Sequence, residues 1–143
     1  MMSRRLKENL SVVIMAAGKG TRMNSDLPKV LHRLSGDTLL NHVIRTSHNL
    51  APKNIVVIIG YESDLVKKSV ESSDVLYSYQ KKQYGTGHAV MQAKEHIEKF
   101  IGNTLVLSGD VPLIQESTLS SLLKMQENSD FDACMLTADL ENP

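Results

Sequence analysis

The chain has 143 residues, 41% of them hydrophobic and 22% charged, which suits one soluble globular domain around a single core. Sixteen basic residues offset sixteen acidic ones, so no net field draws the chain to nucleic acid or to an anionic membrane, and any anion must be gripped locally. Aromatic residues at 4% and the lack of tryptophan argue against base-stacking nucleic-acid modules; no apolar run nears the roughly 18 residues of a membrane span, and residues 1–10 do not read as a signal peptide, so a cytoplasmic protein is expected.

Residues 1–10 read as an N-terminal extension and 11–143 as the domain. The first apolar run, 11–15, predicts a buried strand. Directly after it, residues 16–29 read A-A-G-K-G-T-R-M-N-S-D-L-P-K. A glycine-rich turn at the end of a buried strand can bring bare backbone N–H groups up to a polyanion, and Lys19, Arg22 and Lys29 supply opposing charge. Proline before Lys29 fixes the backbone and so aims the lysine, where it could stabilise charge on an α-phosphate and a departing pyrophosphate. The stretch is no Walker A loop, since no G-K-[ST] follows, and no dinucleotide fingerprint, since Met23 takes the place of the third glycine. By itself it could still be an exposed basic turn.

A helix face follows at Leu39, Leu40, Val43 and Ile44 with Leu50 beyond, then a strand at 54–59, a weaker face at Leu65, Val66 and Val70, and a strand at 75–79. Residues 80–88 read Q-K-K-Q-Y-G-T-G-H. Their glycines allow close backbone approach to a flat base, and the Gln80 amide both donates and accepts, as pairing with a pyrimidine edge requires. Thr86 could equally cap the next helix, marked by Ala89, Ala93 and Ile97 with Phe100 beyond; His88 reads as structural rather than as a general base.

A fourth strand at 104–107 runs into Ser108-Gly109-Asp110-Val111-Pro112. A carboxylate at such a strand end suits Mg²⁺ bound against nucleotide phosphates, because magnesium takes one or two carboxylates plus phosphates and waters. Taken alone, Asp110 reads more simply as the cap of a following helix or turn. Leu119, Leu122 and Leu123 mark that helix, and a fifth strand is expected at 132–137, with Cys134 as a small buried hydrophobe. Cys134 is the sole cysteine, which excludes an internal disulfide, and the histidines match no common zinc spacing.

Strand and helix thus alternate, which predicts an α/β fold with a mostly parallel sheet covered by helices on both faces. Ligands of such sheets sit beyond the carboxyl ends of the strands, where residues 16–29, 80–88 and 109–110 all fall. Their convergence on one edge points to a nucleoside triphosphate.

Together, A-A-G-K-G-T-R-M-x-S-D-L-P-K-V-L-H, Q-x-x-Q-Y-G-T-G-H-A and L-x-G-D-V-P-L-I resemble the uridylyltransferase domain of the bacterial bifunctional N-acetylglucosamine-1-phosphate uridyltransferases/glucosamine-1-phosphate acetyltransferases, within the sugar-phosphate nucleotidyltransferases. The resemblance implies a Rossmann-like nucleotidyltransferase fold and transfer of a uridylyl group from UTP to N-acetylglucosamine 1-phosphate. Carried over by motif, Ala16, Ala17, Gly18 and Lys29 would contact the nucleotide, Gln80, Gly85 and Thr86 would read uracil, Arg22 and Lys29 would stabilise the transition state, and Asp110 would hold Mg²⁺. Family members continue past a point like Asn142-Pro143 into sugar-binding segments and a β-helix domain, so the resemblance covers the front part of the first domain and implies a truncated sheet. An apolar patch left open on it would favour a homo-oligomer. A relative using CTP, GTP or dTTP and a non-catalytic nucleotide-binding module are the competing readings.

Overall fold

The computed structural model describes residues 9–20 and 25–139. In chain order the elements are β1 (Leu10–Met15), a 3-10 turn (Lys29–Leu31), β2 (Arg33–Leu34), β3 (Asp37–Thr38), α1 (Leu39–Asn49), β4 (Asn54–Ile59), α2 (Ser63–Ser69), β5 (Val75–Tyr79), α3 (Thr86–Met91), α4 (Lys94–Ile97), β6 (Asn103–Ser108) and α5 (Glu116–Glu127). The four long strands form one parallel sheet in the order β5-β4-β1-β6.

β1 lies inside this sheet, pairing Val12 with Ile55 on one side and with Leu105 on the other. Its side chains alternate between two apolar layers, so both faces are covered and the strand tolerates hardly a polar residue. Leu10, Val12 and Ile14 enter a larger cluster with Leu40, Val43 and Ile44 of α1, Val66 of α2, and Leu119 and Leu123 of α5. Val13 joins Ala89, Ala93, Val56 and Ile58 on the opposite face, against the α3–α4 segment. At about 1.5–3 kcal/mol for each large buried aliphatic side chain, the first face carries most of the stabilisation, while alanines on the second let its helices come close.

The strands and the helices on both faces match the expected architecture, with local departures. The predicted strand at 132–137 does not form; this stretch is irregular and lines a groove beside β6 and α5 together with Leu119, Leu122 and Val106. It does not pair with the open edge of β6, from which the groove separates it, and its side chains do not alternate cleanly between two faces. Cys134 is therefore partly exposed rather than a core residue. The face at 89–100 breaks into two short helices, where Gln92 and Ala93 donate to the carbonyls three residues back, Ala89 and Val90. Leu65 is turned out to solvent, leaving Val66 as the buried contact of α2.

A small hairpin of β2 and β3 went unread in the sequence. Ser35 and Gly36 turn it with φ of 50° and 91°, the left-handed pair that a tight hairpin demands. It delivers Asp37 to Arg45 and Asn41, and Thr38 to the start of α1, where its hydroxyl accepts from Asn41 N at 3.1 Å.

Candidate functional site

β1 has β4 and then β5 on one side and β6 on the other, so successive connections diverge from it, and a crevice opens at the carboxyl ends of the strands. A cavity of about 360 Å³ occupies that place. Its walls come from the end of β1 and the following loop (Met15, Ala16, Ala17, Gly18, Gly20), from Lys29 and Val30, from Gln80, Gln83, Gly85 and Thr86 after β5, and from Ser108 and Asp110 after β6.

The loop after β1 is pinned where it leaves the sheet. Ala16 N donates to Ile58 O at 2.8 Å, Met15 O accepts from Gly109 N at 2.9 Å, and Ala17 O accepts from Tyr61 N at 3.1 Å. Gly60 makes the crowding possible: a Cβ there would stand 2.9 Å from Gln80 O and 3.0 Å from the Ala17 Cβ. Gly20 adopts φ +72° with its backbone against Lys29, where a Cβ would come within 2.5 Å of the Lys29 Cβ. Gly18, by contrast, has open space in front of it, free for a ligand to approach its backbone. Lys19 reaches away from the loop to sit 5.2 Å over the Tyr61 ring.

On the opposite wall, Asp110 stands between two partners: Lys29 Nζ at 2.6 Å from Oδ2 and the Ser108 hydroxyl donating to Oδ1 at 2.6 Å. Partial burial would raise the Asp110 pKa, but hydrogen bonds from Lys29 and Ser108 and the lysine charge outweigh it and hold the carboxyl below its ordinary range. Asp110 caps no helix, since α5 starts at Glu116 with Gln115 before it. No group of three or more His, Cys, Asp or Glu side chains is placed to cage a metal among the described residues. A single ionised carboxylate at the mouth of a cavity fits a hard divalent cation that takes its remaining ligands from phosphate and water.

The third wall is a network of amides. Gln80 is 5% exposed, and its Nε2 donates to Gly85 O at 3.1 Å and lies 3.1 Å from His88 Nδ1. Gln83 Nε2 donates to Ala17 O at 2.7 Å, tying this segment to the loop after β1 across the cavity. Gly85, with φ +99°, precedes α3 as its cap residue, so Thr86 is the first helical residue and not the cap, and it lines the cavity instead.

This combination, a glycine-bearing loop after the first strand of a parallel sheet with a carboxylate after the strand beside it, coincides with a family match over residues 12–142 to the MobA-like NTP transferase domain. The chain belongs to this family. The bifunctional protein GlmU of Prochlorococcus marinus is 45% identical over 135 residues, covering 94% of this chain and 30% of that protein. The corresponding protein of Rippkaea orientalis is 48% identical, again over 94% of this chain and 30% of the relative. The chain thus spans about 30% of the length of these curated relatives. Among solved structures, Rv0371c from Mycobacterium tuberculosis shares the fold, with a TM-score of 0.73 at 16% identity over 83% of this chain and 61% of that one. The same mycobacterial protein has been solved in complex with manganese, with a TM-score of 0.69 at 15% identity over 82% of this chain and 59% of that one.

For a nucleotidyltransferase, the residues singled out in the sequence come together well. Ala16, Ala17, Gly18, Lys29, Gln80, Gly85, Thr86 and Asp110 all line the one cavity. Arg22 lies outside the described residues. Gln83, Ser108 and Gly60 were passed over. The first lies in the same Q-x-x-Q run as Gln80 and was visible as a second amide; Ser108 directly precedes the Gly-Asp pair; Gly60 follows a strand as Gly109 does, and that parallel was its only signal.

Proposed function

We propose that this chain forms the nucleotide-binding part of a Mg²⁺-dependent uridylyltransferase that joins UTP and N-acetylglucosamine 1-phosphate into UDP-N-acetylglucosamine with release of pyrophosphate. The observation that carries the reading is the facing of Lys29 and Asp110 across one cavity from Gln80, in a chain 45% identical to a bifunctional protein GlmU. A base held at Gln80, Gly85 and Thr86 leaves its phosphates directed toward the loop of Ala16, Ala17 and Gly18 and toward Lys29.

In this reading the sugar-phosphate oxygen attacks the α-phosphorus, the bond from that phosphorus to the α–β bridging oxygen breaks, and pyrophosphate leaves. Such transfers depend on positioning and charge neutralisation more than on acid–base chemistry. Backbone N–H groups around Gly18 would cradle phosphate oxygens, and Lys29, now paired with Asp110, would exchange that carboxylate for a phosphate oxygen, with Arg22 adding charge in the transition state. Asp110, oriented by Ser108, would hold the Mg²⁺, which would supply positive charge against the phosphates. In this reading the chain would act in the cytoplasm.

Pyrophosphate release from UTP, N-acetylglucosamine 1-phosphate and Mg²⁺ tests the reading. Release by this chain that is lost in Asp110→Ala supports it, as does Mg²⁺-dependent UTP binding without turnover, which would make the chain the binding half alone. Release that survives Asp110→Ala contradicts the metal role, and tighter binding of CTP or GTP than of UTP contradicts the uridine assignment.

A further inference from the structure

We propose that His88 is a positioning residue that sets the base preference of the cavity, by holding the Gln80 amide with its carbonyl oxygen turned toward the base. The inference rests on the nucleotide reading above and deepens it.

Gln80 is nearly enclosed, so the orientation of its amide is fixed by neighbours rather than by water. A primary amide nitrogen has two hydrogens to donate. One meets Gly85 O at 3.1 Å, and a carbonyl can only accept. The other has His88 Nδ1 before it, also at 3.1 Å. In a neutral imidazole one ring nitrogen is bare and one carries hydrogen, so this contact is a hydrogen bond when Nδ1 is the bare one. Both amide hydrogens are then spent. Oε1 has no donor among the described residues, yet it is not one of the buried polar atoms left without a partner. Gln80 lines the cavity, and with Nε2 engaged by Gly85 and His88, Oε1 is the end of the amide left to turn to that space.

A carbonyl oxygen facing the base selects for a donor. Uracil presents its N3–H there, whereas cytosine presents a bare N3 whose lone pair would face that of Oε1. Turning the amide over would reverse the choice, at the cost of setting Oε1 against Gly85 O and against a bare Nδ1. Gly85 O opposes that turn once; His88 opposes it a second time. The ring is itself held, with Tyr84 packed on it edge to face at 5.2 Å between centroids. The Gln92 amide nitrogen donates to His88 O at 3.0 Å and lies 3.3 Å from Nε2, so a bare Nδ1 requires this amide to give up that bond and turn its oxygen to Nε2–H. Sequence alone gave His88 no more than a structural part, and no step of the transfer uses it.

The test is calorimetric binding of UTP and CTP with Mg²⁺ to the wild-type chain, His88→Ala and His88→Asn, with inorganic tripolyphosphate as the probe of the phosphate end. His88→Ala is expected to lower the UTP-to-CTP affinity ratio about tenfold, the worth of one hydrogen bond, with tripolyphosphate affinity unchanged. His88→Asn, whose side-chain oxygen can accept in place of Nδ1, is expected to keep the ratio. An unchanged ratio in His88→Ala, or equal loss in both variants, overturns the proposal while leaving the uridine reading intact; a wild-type chain that prefers CTP overturns that reading itself. The ¹⁵N spectrum of the wild-type imidazole at pH 8.5 decides independently of how the variants fold: a bare Nδ1 on His88 is expected, and a protonated Nδ1 overturns the proposal.

Discussion

At the residue scale the Lys29–Asp110 pair is the feature with most consequence. Lys29 is 42% exposed and Asp110 25%, so the pair itself is worth below about 1 kcal/mol to the fold. Its value lies in keeping opposite charges concentrated at the cavity wall before any ligand arrives. Lys29→Met is therefore expected to shift the melting temperature by no more than about 4 °C while weakening tripolyphosphate binding by ten-fold or more, through loss of a charge-assisted hydrogen bond. Thermal melts and calorimetry on the same samples check both halves. Gln83→Ala should weaken UTP about tenfold for a different reason, since it frees the segment after β5 from Ala17 O; titration of UTP with and without the substitution reads it. The placement of Lys29, Gln80 and Asp110 at the carboxyl ends of the strands was legible in the sequence because each stands beside a proline, glycine or strand end. That Lys29 and Asp110 would touch was not legible, because pairing across the sheet edge depends on β1 and β6 lying side by side, which no local pattern states.

At the scale of elements, the site depends on backbone closeness at the strand ends. Gly60→Ala would drive a Cβ against Gln80 O and Ala17, and overpacking of this kind costs about 1–3 kcal/mol. A chemical denaturation midpoint lowered to match, with UTP affinity reduced through displacement of Gln80, is the expected outcome. The β2–β3 hairpin offers a pH test. Burial would raise the Asp37 pKa, but hydrogen bonds from Asn41, Arg45 and Thr38 N and the Arg45 charge depress it. A folded-state value below the unfolded one means stability that is present above the ordinary carboxylate pKa of about 3.9 and is lost as pH falls through the depressed value. Asp37→Asn should thus melt lower than wild type at pH 7, by up to about 1 kcal/mol, and the two should converge as melts are repeated below about pH 4. The four paired strands and the helix faces on α1 and α5 were readable, since each runs long enough to fix its period. The run at 132–137 misled because apolar content suggests a strand, whereas a strand exists only with a partner. Only the Ser35-Gly36 turn marked the hairpin, whose strands have two residues each, too few for a pattern.

For the molecule as a whole, β6 is one edge of the sheet, with no described strand on its outer side, and Val106 on it is 41% exposed. Exposed apolar edges invite pairing with another chain. Self-association of this chain that rises with concentration in light scattering is expected, and Val106→Lys should suppress it; a wild-type monomer at all concentrations would contradict the expectation. The central claim concerns the opposite end of the strands, where loop, amide and carboxylate meet in one cavity. Calorimetric titration of this chain with UTP, with and without Mg²⁺, tests it most directly. Binding that requires Mg²⁺, exceeds that of CTP and ATP, and disappears in Asp110→Ala is the predicted result; UTP binding indifferent both to Mg²⁺ and to Asp110→Ala would contradict it.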